Sequence, residues 1–155
     1  MWDRILGTLG AEFSDVADVE QITRILVRLL LAALLGGVLG YEREQQGKAA
    51  GIRTHMLVAM GAALFVFVPQ QAGLQVADMS RVIQGVIAGI GFLGAGAIIK
   101  NRSEEQVQGL TTAAGVWMTA AIGIACGLGR EMTAVLSTLL GLAVLALVPK
   151  LAGKP

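Results

Sequence analysis

An all-α polytopic membrane protein, a bundle of five transmembrane helices, is the fold class this sequence predicts. Three observations predict it. The 155 residues are 55% hydrophobic and 15% charged, with a mean hydropathy of +0.70, whereas a soluble domain carries about 25% charge. Five apolar stretches approach the ~20 residues that cross a bilayer as a helix. The alternation of apolar and polar residues that marks a half-buried strand is absent. The length allows one domain. The same composition excludes a disordered chain and a disulfide scaffold. A net charge of +1 gives no field to draw in a polyanion, so no nucleic-acid partner is expected.

Residues 1–20 read as an amphipathic N-terminal helix lying in the membrane interface. Trp2, Ile5, Leu6, Leu9, Phe13 and Val16 recur at helical spacing, while Asp3, Glu12, Asp15 and Glu20 lie mainly off that stripe. The opening Trp2-Asp3-Arg4 lacks the pattern of a cleaved signal peptide. Asp18 followed by Gln21 resembles a capping box at the start of the first span. The transmembrane domain is placed at residues 21–149. Its spans are expected at about 22–40, 53–68, 82–99, 110–127 and 131–148, joined by short loops, with a cytoplasmic tail at 150–155.

Five crossings put the termini on opposite sides. One side collects Arg43, Lys48, Arg53, Lys100, Arg102, Lys150 and Lys154, and the other Arg4, Arg81 and Arg130. Positive loops stay in the cytoplasm, so the N-terminus is expected outside and the C-terminus inside. Counting Arg24 and Arg28 on the outer side narrows the bias. A shift of 58 residues lays Gly51, Thr54, Val58, Met60, Ala62 and Ala63 on identical partners. Spans one and two would then form one hairpin and spans three and four a second, as a parallel repeat about an axis along the membrane normal.

Small residues let helices approach closely in lipid. Gly36/Gly40, Gly85/Gly89 and Gly123/Gly127 have the required spacing. Gly85, Gly89, Gly91, Gly94 and Gly96 concentrate in the third span. They read either as packing positions or as a broken helix whose freed carbonyls meet an ion or polar substrate. Gly89 to Gly94 also match the dinucleotide-binding glycine pattern, but inside an apolar span, without the preceding strand that pattern needs.

Ionisable groups inside a membrane are functional candidates. Arg28 reads either as a snorkelling side chain or as an inward-facing group, with Gln84 as a candidate neighbour; Thr111 and Thr112 are further candidate pathway residues. The richer end is cytoplasmic. Tyr41 to His55 are read as the join between the first two spans, and Lys100 to Glu105 as the join between the third and fourth. The candidate polar cluster comprises Glu42, Arg43, Glu44, Arg53, Thr54, His55, Lys100 and Arg102, with Glu42 or Glu44 pairing to Arg53, Lys100 or Arg102. Its alternative reading is a solvated loop with ordinary positive-inside bias.

No enzyme is expected. None of the four serines stands in a nucleophile elbow, and no carboxylate lies deep in a span. One histidine and one cysteine, Cys126, cannot build a multi-His or multi-Cys metal site, and Cys126 reads as a small buried hydrophobe. No cofactor is evident. Mg²⁺ favours carboxylates with retained waters, and the clustered carboxylates near a membrane edge are Glu42/Glu44 and Glu104/Glu105.

Gly40-Tyr41-Glu42-Arg43-Glu44 and then Gly47-Lys48-Ala49-Ala50-Gly51-Ile52-Arg53-Thr54-His55 resemble the signature of the MgtC/SapB family. So do Ser80-Arg81-Val82 leading into Gly89 to Gly96, and Gly109-Leu110-Thr111-Thr112-Ala113-Ala114 with Trp117. The resemblance covers about residues 22–148. It implies a bacterial inner-membrane protein with five spans, tied to growth at low magnesium and to survival inside host cells. It also implies a regulatory role, with the membrane sector of ATP synthase and transport ATPases as partners. Family members of the MgtC type carry a soluble domain after the fifth span, so a sequence ending at Pro155 reads as a short form. The leading expectation is a regulatory bundle that self-associates, preferably as a dimer, and acts through its cytoplasmic polar cluster. The rival is a small oligomeric ion or solute transporter.

Overall fold

The computed structural model describes residues 1–12, 14, 18–100 and 107–151, and the backbone alone for residues 76, 99, 100, 107, 150 and 151. Six helices follow in order: α1 (Trp2–Glu12), α2 (Val19–Gln45), α3 (Ile52–Gln71), α4 (Val76–Ala97), α5 (Leu110–Gly127) and α6 (Glu131–Leu151). A two-residue antiparallel ladder pairs β1 (Ile99–Lys100) with β2 (Val107–Gln108), in the register Ile99 to Gln108. The last five helices are each long and apolar enough to cross a membrane.

Each span agrees with a stretch read from the sequence, and the differences lie at the ends. Hydropathy marks where a chain is apolar, whereas a helix continues as long as its backbone bonds close. So α2 runs on to Gln45, and Tyr41 to Gln45 are its last turn rather than loop. The loop proper is only Gln46 to Gly51. Likewise α4 opens at Val76, ahead of Arg81, and ends at Ala97. It is unbroken across all five of its glycines, which removes the broken-helix reading.

Asp18 caps α2, its carboxylate accepting from the Gln21 N–H at 2.7 Å, as the expected box requires of it. No residue of α1 is buried, and Phe13 and Val16 of its expected stripe lie outside the described residues.

α5 is the central span, packed by α2, α3, α4 and α6. α3 lies between α2 and α5, and glycines on both neighbours permit this. A β-carbon on Gly36 would stand 2.6 Å from the His55 carbonyl oxygen, and one on Gly127 would stand 2.5 Å from that of Ala63. Gly40 and Gly123 meet α3 backbone in the same way. The third-span glycines behave differently. Gly85, Gly89, Gly91 and Gly96 have nothing within 4 Å of where a side chain would begin, and only Gly94 touches a neighbour, Ala113. An apolar groove of about 570 Å³ runs along α3 and α4 past Gly61, Gly85 and Gly89. The core proper joins Ala32, Leu35, Leu39, Ala59, Ala63, Ile122, Cys126 and Ala134. Cys126 is fully buried there, as a small hydrophobe would be.

Candidate functional site

Two polar constellations mark the two ends of the bundle. At one end α2 delivers Arg43 into the protein. Ala32, Ala33, Leu35, Gly36, Leu39, Gly40 and Arg43 are the buried positions of that helix, recurring every three or four residues and therefore on one face. Arg43 is 1% exposed. Its guanidinium grips Glu42 with two donors: Nε bonds to Oε2, and a terminal nitrogen donates to Oε1 at 2.7 Å. Gln46 Nε2 also donates to Glu42 Oε1. A bidentate pair of this kind fixes the planes of both groups.

His55 comes in from α3 and is fully buried. Its Nδ1 faces the Gly51 carbonyl at 3.0 Å, while its buried Nε2 has no partner among the described residues. Nδ1 therefore carries the proton in the neutral ring, and Nε2 is left as an unused acceptor. His55 and Arg43 both lie over Gly115 of α5; a β-carbon there would stand 3.6 Å from Nε2 and 3.9 Å from Arg43 Cδ. Beside them opens a largely apolar cavity of about 310 Å³, lined by His55, Thr111, Gly115, Met118, Gly141 and neighbouring aliphatic residues.

Glu44 turns the other way. Its Oε2 accepts from the Ile52 N–H at 2.9 Å and so caps α3 from the preceding helix. Arg53 and Thr54 are exposed, and neither side chain has a partner among the described residues. The expected pairing of Glu42 or Glu44 with Arg53 is thus replaced by Glu42 with Arg43 and Glu44 with backbone. The Lys100 side chain and Arg102 lie outside the described residues, as do Glu104 and Glu105. The first loop does approach the residues that flank the second: Gly47, Lys48 and Ala49 line a polar cavity of about 570 Å³ together with Ala97, Gln108, Gly109 and Thr112. Thr112 is buried and Thr111 is exposed.

At the other end Arg28 ties four helices. It donates to Gln70 Oε1 of α3 at 2.9 Å and to the Gly127 carbonyl, the last residue of α5, at 2.7 Å. Its Nε lies 4.0 Å from Glu131 of α6, and its guanidinium sits 5.1 Å from the Phe67 ring centre. A cation at the carboxyl end of α5 also meets the negative end of that helix dipole. Gln84 is exposed and is not among these partners. Arg28 is level with the ends of α3 and α5 and the start of α6. It therefore marks the rim of the bundle, and α2 runs on for about 13 Å beyond it.

The sequence reading missed Gln70, Phe67 and Glu131, whose meeting with Arg28 depends on tertiary packing. Burial of Arg43 did leave a signal, the three-and-four spacing back through Leu39 to Ala32. His55 left the same one, continuing the buried positions Ala59, Ala62, Ala63 and Val66 of α3. Among the described residues no three of His, Cys, Asp and Glu come together.

The decisive comparison is with protein families: the sequence pattern of the MgtC family matches residues 29–154. The chain belongs to the MgtC family. It is 52% identical to Protein SrpB of Synechococcus elongatus over 114 residues, 65% of this chain and 63% of SrpB. It is 41% identical to "Putative magnesium transporter YhiD" of Escherichia coli K12 over 127 residues, 77% of this chain and 58% of YhiD. Protein MgtC of Salmonella typhimurium is 41% identical over 115 residues, 74% of this chain and 48% of MgtC. The chain thus spans between about half and just under two thirds of the length of these relatives. No solved structure matches it. As a family member with five apolar helices, it is a membrane protein that sits in a lipid bilayer.

Proposed function

We propose that this chain is a non-enzymatic inner-membrane regulator of magnesium homeostasis, acting from its cytoplasmic face on other membrane transport or on the ATP synthase membrane sector. The observation that carries the reading is the polar end itself. Arg43, Glu42 and His55 are fixed inside the helix junction, and the same end displays Lys48, Arg53 and Thr54 without partners among the described residues. Buried Arg43 and His55, with half-buried Glu42, hold the shape of that end, and the exposed residues form the contact surface. The positive-inside rule supports a cytoplasmic position for this end and an outside N-terminus. The exposed apolar residues Trp2, Ile5, Leu6 and Leu9 of α1 support its lying in the outer interface.

Two finer readings accompany it. A dimer through α4 is supported by Gly85 and Gly89, whose open stripe would let a second α4 approach closely. A parallel repeat is supported by the opening of α3 and α5 at equivalent residues, Ile52 and Leu110, each behind a glycine. Gly36 facing His55 and Gly94 facing Ala113 are likewise equivalent pairs.

The test is growth at low magnesium of a bacterium lacking its own family member, complemented with Glu42→Ala or Arg53→Ala at verified expression. Lost rescue is expected; full rescue by both variants rejects the role of this end. The second reading, transport, draws on the name carried by YhiD. Saturable, ion-selective flux into liposomes holding the pure protein would establish it in place of regulation.

A further inference from the structure

We propose that the amino end of α5 is a binding site for a phosphate group, offered either as a lipid headgroup or as a free phosphate. Two helices open at this face of the bundle, and among the described residues only one of them is supplied with an anion. The first N–H of α3 is taken by the Glu44 carboxylate at 2.9 Å. α5 has no such cap. Its N-cap is Gly109, at φ +92°, a conformation suited to glycine and one that leaves no side chain to cap the helix. The first bond into the helix runs from Ala113 N–H to Gly109 O at 2.8 Å. The N–H groups of Leu110, Thr111 and Thr112 therefore precede the helical ladder.

Gly109 and Thr112, at the start of α5, line a polar cavity of about 570 Å³ together with Gly47, Lys48 and Ala49 of the α2–α3 loop. A second, independent observation points to a ligand there. Thr112 lines the cavity and is 3% exposed, and its hydroxyl has no hydrogen-bond partner among the described residues. Its oxygen retains accessible surface in an otherwise buried side chain, unlike the enclosed Nε2 of His55. Lys48 and Gln108 line the same space, Lys48 without an ion pair among the described residues. The described lining contains no Asp or Glu. Helix N–H groups, a hydroxyl, an amide and an ammonium are donors, and together they suit a phosphate oxyanion. The cavity opens at the end of the bundle where headgroups lie, so both sources of phosphate reach it.

The test uses the full chain in phosphatidylcholine nanodiscs. One arm titrates inorganic phosphate by calorimetry. The other exchanges phosphatidylglycerol into the disc and counts retained lipid by native mass spectrometry. Saturable binding is expected in at least one arm, and the arm that responds names the source. Lys48→Gln and Thr112→Val should each weaken it about tenfold, as loss of a bond to a charged group does, while Lys48→Arg retains it. Absence of saturable binding in both arms overturns the proposal, and so does wild-type affinity in either folded variant. Lys48 is exposed in the loop, so its variant decides the matter even where Thr112→Val fails to fold.

Discussion

Replacing Gly36 by alanine separates close helix packing from mere glycine content. A β-carbon at residue 36 would stand 2.6 Å from the His55 carbonyl oxygen and 2.9 Å from the Ala59 β-carbon, where ordinary contact begins at 3.4 Å. The obstacle includes backbone, which cannot swing aside, so α2 and α3 must part by about 0.8 Å. Overpacking of this sort costs about 1–3 kcal/mol. Alanine regains up to about 1 kcal/mol over glycine in helix propensity. With a backbone atom in the way, the upper part of that range applies, and a net loss of about 2 kcal/mol is expected. Gly91→Ala is the control, because nothing lies within 4 Å of its position; only the propensity gain applies, so it should be neutral or slightly stabilising. Reversible unfolding in mixed micelles measures both. Wild-type stability of Gly36→Ala, or an equal loss in Gly91→Ala, would refute the packing described here.

Arg43→Ala should cost about 3 kcal/mol or more, because it strands the half-buried Glu42 carboxylate; the Glu42→Ala/Arg43→Ala double variant should recover part of that, and a strictly additive cycle would show the pair to be uncoupled. Arg28→Ala should lose about 1.5–3 kcal/mol through its bonds to Gln70 and Gly127, and unchanged unfolding would mean that the four-helix tie is idle. Gly89→Leu should abolish self-association, read by single-molecule photobleaching in bilayers; persistent dimers would move the interface off α4. An experimental structure should superpose residues 35–65 on 93–123 within a few ångströms, and a larger mismatch dismisses the repeat.

The spans were legible because crossing lipid demands an apolar length that hydropathy records directly. Helix ends were less so: Tyr41 to Gln45 look like loop by polarity, yet the helix continues through them, with buried Arg43 paired to half-buried Glu42 at that turn. Gly36, Gly40, Gly123 and Gly127 could be read as packing positions, but so could Gly85 and Gly89, which share the spacing. Which stripe meets a neighbour is decided by tertiary placement. Arg53 and His55 lie two residues apart and so about 200° apart around a helix. The inward one follows from the apolar positions behind it, not from its own charge. Arg28 found partners on three other helices, and no local pattern encodes an encounter across 42 or 99 residues.

Cysteine labelling tests the sidedness of the polar end most directly. In a Cys126→Ala background, single cysteines replace Lys48, in the α2–α3 loop, and Arg130, in the α5–α6 turn. An impermeant maleimide should reach position 130 in intact spheroplasts and position 48 only after the membrane is opened. Labelling of position 48 from outside, or of both positions from one face, would contradict a regulator that works from the cytoplasm.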